Sequence, residues 1–188
     1  MAYLTRQQLG MMNFKSLGDN VKISDKASIY DCEQIDIGDN SRIDDFCVLS
    51  GKIAIGRNVH ITPMCIVAGG KPGLIIGDFV ALAYGVKVFT QSDDYSGESM
   101  TNSTISKQFK NEIFKKVIIK KHSIVGAGTV IMPGVVVKEG TSVGAMSLVL
   151  KSSEPWTIIA GCPAKKIKNR KQNILKLEAS YLASNTSQ

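Results

Sequence analysis

The sequence predicts an all-β fold wound as a three-sided coil. Three observations predict it: an aliphatic residue at every sixth position, a glycine that often follows it, and a small or β-branched residue four places after it. The aliphatic series runs Ile23 and Ile29; then Ile37, Ile43, Leu49, Ile55, Ile61 and Val67; then Ile76, Leu82 and Val88; then Ile119, Val125, Ile131, Val137, Val143 and Val149. Glycine follows at 38, 56, 77, 126 and 144, and residues such as Cys47, Val59, Cys65, Val80, Thr129 and Ser147 hold the small position. A period of six fits neither a helix nor simple strand alternation, so each hexad is a short strand plus a corner. Three hexads close one coil. Stacked coils set like residues above one another at roughly 4.8 Å, so no coil buries its core alone.

The elements follow in order along a single domain. Residues 1–20 flank the stack, where Leu4 and Leu9 have helical spacing and suit a cap over the first coil. Residues 21–154 carry the coils. Offsets from Ile29 to Ile37 and from Val67 to Ile76 read as widened corners, and the glycines as relief for corners that need positive φ. The large interruption lies between Val88 and Ile119, a polar, acidic excursion extruded over residues 89–116, and a long loop on a rigid stack is a usual place for function. Residues 155–188 form a C-terminal extension and a helix with Ile174, Leu177 and Leu182 on one face, ending near Ala183.

Composition narrows the function classes. The chain of 188 residues is 44% hydrophobic with 17 glycines, which suits a globular protein rich in aliphatic strands and turns. No stretch is long and apolar enough for a membrane span and no leader pattern opens the chain, so a cytoplasmic location is expected. Four cysteines without CxxC pairing argue for free thiols and against a metal site; Cys47 and Cys65 fall at the same position of successive coils and should stack in the core. Much of the net charge of +7 sits in the run from Lys165 to Lys171. The sole tryptophan is not interleaved with that run, which argues against a nucleic-acid partner.

The stretches "IGDNSRIDDFCVLS", "IGRNVHITPMCIVAGG", "VGAGTVIMPGVVVKEGTSVGAMSLV" and "IIAGCPAKKIKNR" together resemble the hexapeptide-repeat acyltransferases, over about residues 20 to 170. The resemblance is greatest to the galactoside and maltose O-acetyltransferase branch and to nucleotide-sugar N-acyltransferases of surface-polysaccharide synthesis. It implies a left-handed parallel β-helix, an acyl-CoA donor, most simply acetyl-CoA, a sugar or nucleotide-sugar acceptor, and a homotrimer with active sites between neighbouring subunits. It also implies that coenzyme A lies on the late coils, over Gly126, Ala127, Gly144 and Ala145, with Lys165, Lys166, Lys168 and Arg170 at its phosphates.

The chain departs from the family at the loop, where relatives carry a general-base histidine and this sequence has Asp93 and Asp94. Of its two histidines, His60 lies at a corner that lines the acceptor pocket in relatives and is the candidate base for a hydroxyl acceptor; His122 is at a more variable corner. Asp93 and Asp94 suit an amine acceptor better, since an ordinary carboxylate is too acidic to deprotonate a hydroxyl. Tyr95 and Glu98 follow as candidate sugar contacts. The residues leave O- and N-acylation both open. They also leave two further readings: an antibiotic-modifying acetyltransferase, and a sugar-binding or scaffold β-helix without catalysis. A carbonic anhydrase of the same coil architecture needs three histidines on zinc, which two cannot supply.

Overall fold

The structure is a computed structural model that describes residues 2–185. It is a left-handed parallel β-helix with three faces. The first face stacks Lys22–Ile23, Arg42–Ile43, His60–Ile61, Ala81–Leu82, Ile124–Val125, Ser142–Val143 and Thr157–Gly161 in register. The second stacks Ser28–Ile29, the start of Val48–Ile55, the start of Ile66–Ile76, Lys87–Phe89, Val130–Ile131 and Leu148–Val149. The third begins at Ser16–Leu17, which already pairs with Asp36–Ile37, and runs through the ends of the two long strands to Val117–Ile119 and Val136–Val137. Every aliphatic of the repeat from Ile37 to Val149 is buried, and a cavity left by truncating one costs about 2–5 kcal/mol.

The structure gives the glycines a different task from the one expected. Gly38, Gly56, Gly77, Gly126 and Gly144 do not have positive φ; each lies where the next coil passes too closely for a side chain. A Cβ on Gly38 would sit 2.7 Å from the carbonyl carbon of Gly56, and one on Gly126 2.4 Å from the amide nitrogen of Ala145. The left-handed residue falls two places later, at Asn40, Asn58, Phe79, Gly128 and Met146. The widened corner at Val67–Ile76 is one bent strand, made possible where Gly51 and Gly70 touch backbone to backbone. The corner between Ile29 and Ile37 holds a single 3₁₀ turn, Cys32–Gln34.

Both ends are covered. At the N-terminus a short helix, α1 (Arg6–Met11), starts from a capping box between Thr5 and Gln8 and buries Leu9 over the first coil. At the other end Ala164–Asn169 folds back antiparallel on Thr157–Gly161. The last helix, α2 (Ile174–Asn185), lies against one corner of the prism, where Asn58, Phe79 and His122 stack at the left-handed position. Leu177 stays 61% exposed while Ile174 and Leu182 are half-buried, so the expected apolar face fastens this helix only in part. Polar groups complete the attachment: Glu178 accepts from His122 Nε2 at 2.8 Å and pairs with Lys121 at 2.6 Å, and Asn58 donates to the Tyr181 hydroxyl at 3.0 Å.

Candidate active site

The long loop leaves the stack at the corner between the second and third faces. Gln91–Ser92 and Ile113–Phe114 pair antiparallel at its base, and Lys110, Glu112 and Gln91 tie it together there. Asp94 is consumed in shaping the loop: it accepts from the Ser96 amide at 2.9 Å, the Ser96 hydroxyl at 2.9 Å and the Ser99 hydroxyl at 2.8 Å. Those bonds, the Ser96 amide first, hold its carboxyl below the ordinary carboxylate range. Asp93 is freer, its carboxylate accepting only from the Asn102 amide at 3.3 Å among the described residues, and it borders two clefts. One, of about 290 Å³, has a floor of small residues, Ser50, Ala68 and Gly70, against Phe89 and Thr90. The other, of about 380 Å³, lies within the loop. Tyr95 projects from the loop, 91% exposed, and Glu98 is exposed beside it.

His60 points outward from the first face, the face opposite the loop corner, so one chain does not bring it together with Asp93 or Asp94. No hydrogen bond or shared cleft joins them among the described residues. Instead His60 Nε2 meets Asp44 Oδ2 at 2.8 Å, and Asp44 is held by Arg42 Nε at 2.6 Å. The Asp44 side chain is only 3% exposed while His60 is 41% exposed, which leaves an imidazole with one nitrogen fixed and the ring open to solvent. Sequence reasoning missed Asp44 and Arg42. The available signal is positional: after the aliphatic on this face the other coils have Ser24, Thr62, Ala83, Gly126 and Gly144, and only this one has an acid.

His122 is buried behind α2, stacked on Phe79 with ring centroids 5.5 Å apart, and belongs to the fastening of the helix. Arg170 is also taken, donating to the His122 and Gly140 carbonyls at 2.7 and 3.0 Å, so it is not available for a phosphate. Gly126, Ala127, Gly144 and Ala145 do come together, on the corner between the first and second faces. The terminal hairpin abuts that corner: the Gly144 amide bonds the Ile159 carbonyl at 2.8 Å, and Lys165 pairs opposite Ala160. Lys165, Lys166 and Lys168 are exposed and, among the described residues, none is in an ion pair. Cys47 and Cys65 are fully buried, and the hydrogen bond between them together with burial pushes the Cys47 thiol up, away from reactivity.

No family profile matches the sequence. The chain is nevertheless 41% identical over 184 residues to the dTDP-4-amino-4,6-dideoxy-D-glucose acyltransferase of Escherichia coli, covering 96% of this chain and 95% of that one. It belongs to the hexapeptide-repeat acyltransferase family of that enzyme. The fold agrees over its whole length with AntD, an N-acyltransferase from Bacillus cereus, solved in complex with dTDP and 3-hydroxybutyryl-CoA: TM-score 0.97, 44% identity, 98% of each chain. A variant of AntD in complex with dTDP-4-amino-4,6-dideoxyglucose and coenzyme A matches with a TM-score of 0.96 and 45% identity over 97% of this chain and 98% of that one. As a member of the family the chain is an acyltransferase that takes its acyl group from a coenzyme A thioester and passes it to a nucleotide-linked sugar. Among the described residues no helix is long and apolar enough to cross a membrane.

Proposed function

We propose that the chain transfers an acyl group to the 4-amino group of a dTDP-linked 4-amino-4,6-dideoxyhexose, forming an amide. The observation that supports this most is the loop itself, which offers a carboxylate, Asp93, where a hydroxyl acceptor calls for an imidazole. A carboxylate orients an ammonium group and helps it lose its proton. The nucleotide sugars of the E. coli relative and of the AntD complex carry that amine. In this reading Asp93 holds the amino group at the cleft rim, Asp94 shapes the loop behind it, and Tyr95 and Glu98 reach the sugar. The neutral nitrogen attacks the thioester carbonyl, the C–S bond breaks as the C–N bond forms, and the thiolate takes up the proton that nitrogen loses. The pantetheine arm lies extended over Gly126, Ala127, Gly144 and Ala145, with Lys165, Lys166 and Lys168 toward the phosphates.

A homotrimer belongs to the same proposal, because the groove and the loop lie on different corners of one chain and a neighbouring copy supplies the missing side. The second face supports it: four of its six outward residues, Val48, Ile66, Val130 and Leu148, are apolar, with Ser28 at the start and Lys87 between Ile66 and Val130. The Asp44–His60 pair favours a second reading, with His60 as base toward a hydroxyl acceptor. Thiol release from acetyl-CoA and 3-hydroxybutyryl-CoA, with amino- and hydroxy-sugar nucleotides in parallel, separates the two. Asp93→Asn should lower kcat/KM for the amino sugar by about 100-fold or more. His60→Ala should leave it within about threefold. Turnover of the hydroxy-sugar nucleotide in place of the amino sugar, lost in His60→Ala and kept in Asp93→Asn, would give the reaction to the hydroxyl reading, and no thiol release with any sugar nucleotide would end both.

A further inference from the structure

The groove corner changes character abruptly at one coil. At the first turn position of this corner successive coils place Pro63, Tyr84, Ala127 and Ala145, a stack fixed by the Gly85 amide on the Pro63 carbonyl at 3.0 Å, the Gly128 amide on the Tyr84 carbonyl at 2.8 Å and the Met146 amide on the Ala127 carbonyl at 2.8 Å. Two alanines thus form a low floor, and the next residue above them carries a phenol ring, 64% exposed. The ring stands free: the Tyr84 hydroxyl has no hydrogen-bond partner among the described residues, and a Cβ built on the adjacent Gly85 would meet nothing within 4 Å. On the other side, a Cβ on Gly128 would collide with the Met146 sulfur at 2.4 Å, so the thioether closes the edge of the floor below the ring. The groove therefore has a direction. Its basic end is the terminal hairpin with Lys165 and Lys166, its floor is Ala145 and then Ala127, and Tyr84 comes next.

We propose that Tyr84 is the end wall of the carrier groove and determines which acyl groups the enzyme accepts. The inference rests on the proposed path of coenzyme A. With the phosphates at the hairpin, the arm climbs about 4.8 Å per coil and presents its thioester end, with the acyl group, to the first bulky side chain it reaches. A ring wall favours a short acyl group, and a methylene that fits or clashes in such a pocket is worth about tenfold or more in kcat/KM.

The test measures kcat/KM for acetyl-, butyryl- and 3-hydroxybutyryl-CoA on the intact protein, with the affinity for unacylated coenzyme A measured by calorimetry. Tyr84→Ala should raise the butyryl-to-acetyl ratio by about tenfold. Tyr84→Trp, which enlarges the wall, should lower the same ratio. In both variants the affinity for coenzyme A itself should stay within about twofold, because the ring meets the acyl group and not the carrier. A ratio unmoved in both variants overturns the assignment. Ala145→Trp, at an exposed position of the floor, tests the groove separately: if it abolishes coenzyme A binding with its thermal unfolding unchanged, while both Tyr84 variants keep the parental ratio, the path of the carrier stands and the role of Tyr84 falls. If Ala145→Trp binds coenzyme A normally, the path is wrong and the wall falls with it.

Discussion

Gly38 shows how little room the stack leaves at the scale of one residue. Its Cβ position is occupied by the backbone of the coil above, not by a side chain that could move away, so Gly38→Ala must push two coils apart. The expected cost is about 1–3 kcal/mol in urea unfolding. Gly85, with φ of +68° and open space around it, should accept Asn within about 0.5 kcal/mol in the same measurement. The sequence announced these glycines by their period but not their reason, since a close approach between coils and a positive φ leave the same letter in the chain. Pairings across coils were hidden for a related reason. Asp44 and His60 are sixteen positions apart and meet only because the buried Asp44, one place past its strand, lies beside the outward His60 of the next coil. The loop carboxylates were legible as an anomaly, but the division of labour between a tied Asp94 and a freer Asp93 depends on where Ser96, Ser99 and Asn102 fold back.

Helix α2 is the element whose attachment was least legible. Its apolar spacing pointed to Ile174, Leu177 and Leu182, of which Leu177 is exposed, whereas the directional part of the fastening is Glu178 on His122 and Lys121, more than fifty positions away in sequence. Burial opposes ionisation of Glu178, but the hydrogen bonds from Lys121 and His122 outweigh it and hold its carboxyl below the ordinary value. The sign follows. A depressed carboxyl adds stability that is complete above the ordinary glutamate range, near about 4.3, and is lost as pH falls through its value in the folded chain. Hydrogen exchange of the 174–185 amides should therefore be pH-independent in its protection near neutrality and lose protection in acid. Glu178→Ala should remove that acid step and cost about 1–3 kcal/mol, because it leaves the buried His122 imidazole without its partner. If the variant keeps the same acid step as the parent, the fastening is not where the geometry puts it.

Across the whole molecule the three faces differ in what they show to solvent. The first face carries Lys22, Arg42 and His60 outward on its early coils and Ala81, Ile124 and Ser142 on later ones, while the second shows Val48, Ile66, Val130 and Leu148 with Lys87 among them, bordered by the exposed Phe46, Met64 and Met146. Mass measurement in solution should give three copies for the parent chain, and Ile66→Glu with Val130→Glu should give single chains that lose acyl transfer; a parent that is monomeric and active would refute the shared site. The repeat made this architecture readable because the same physical demand, filling a ladder, is written many times, whereas each catalytic contact is written once.

The terminal hairpin has one more consequence. A stack of in-register rungs presents an unpaired edge at its last turn, and such an edge invites the first rung of another molecule to continue it without limit. By turning Ala164–Asn169 back antiparallel along Thr157–Gly161, the chain presents a strand of opposite sense studded with lysines, against which a like molecule meets both the wrong polarity and its own charge. On this face the run of cations disfavours continuation of the stack by another molecule.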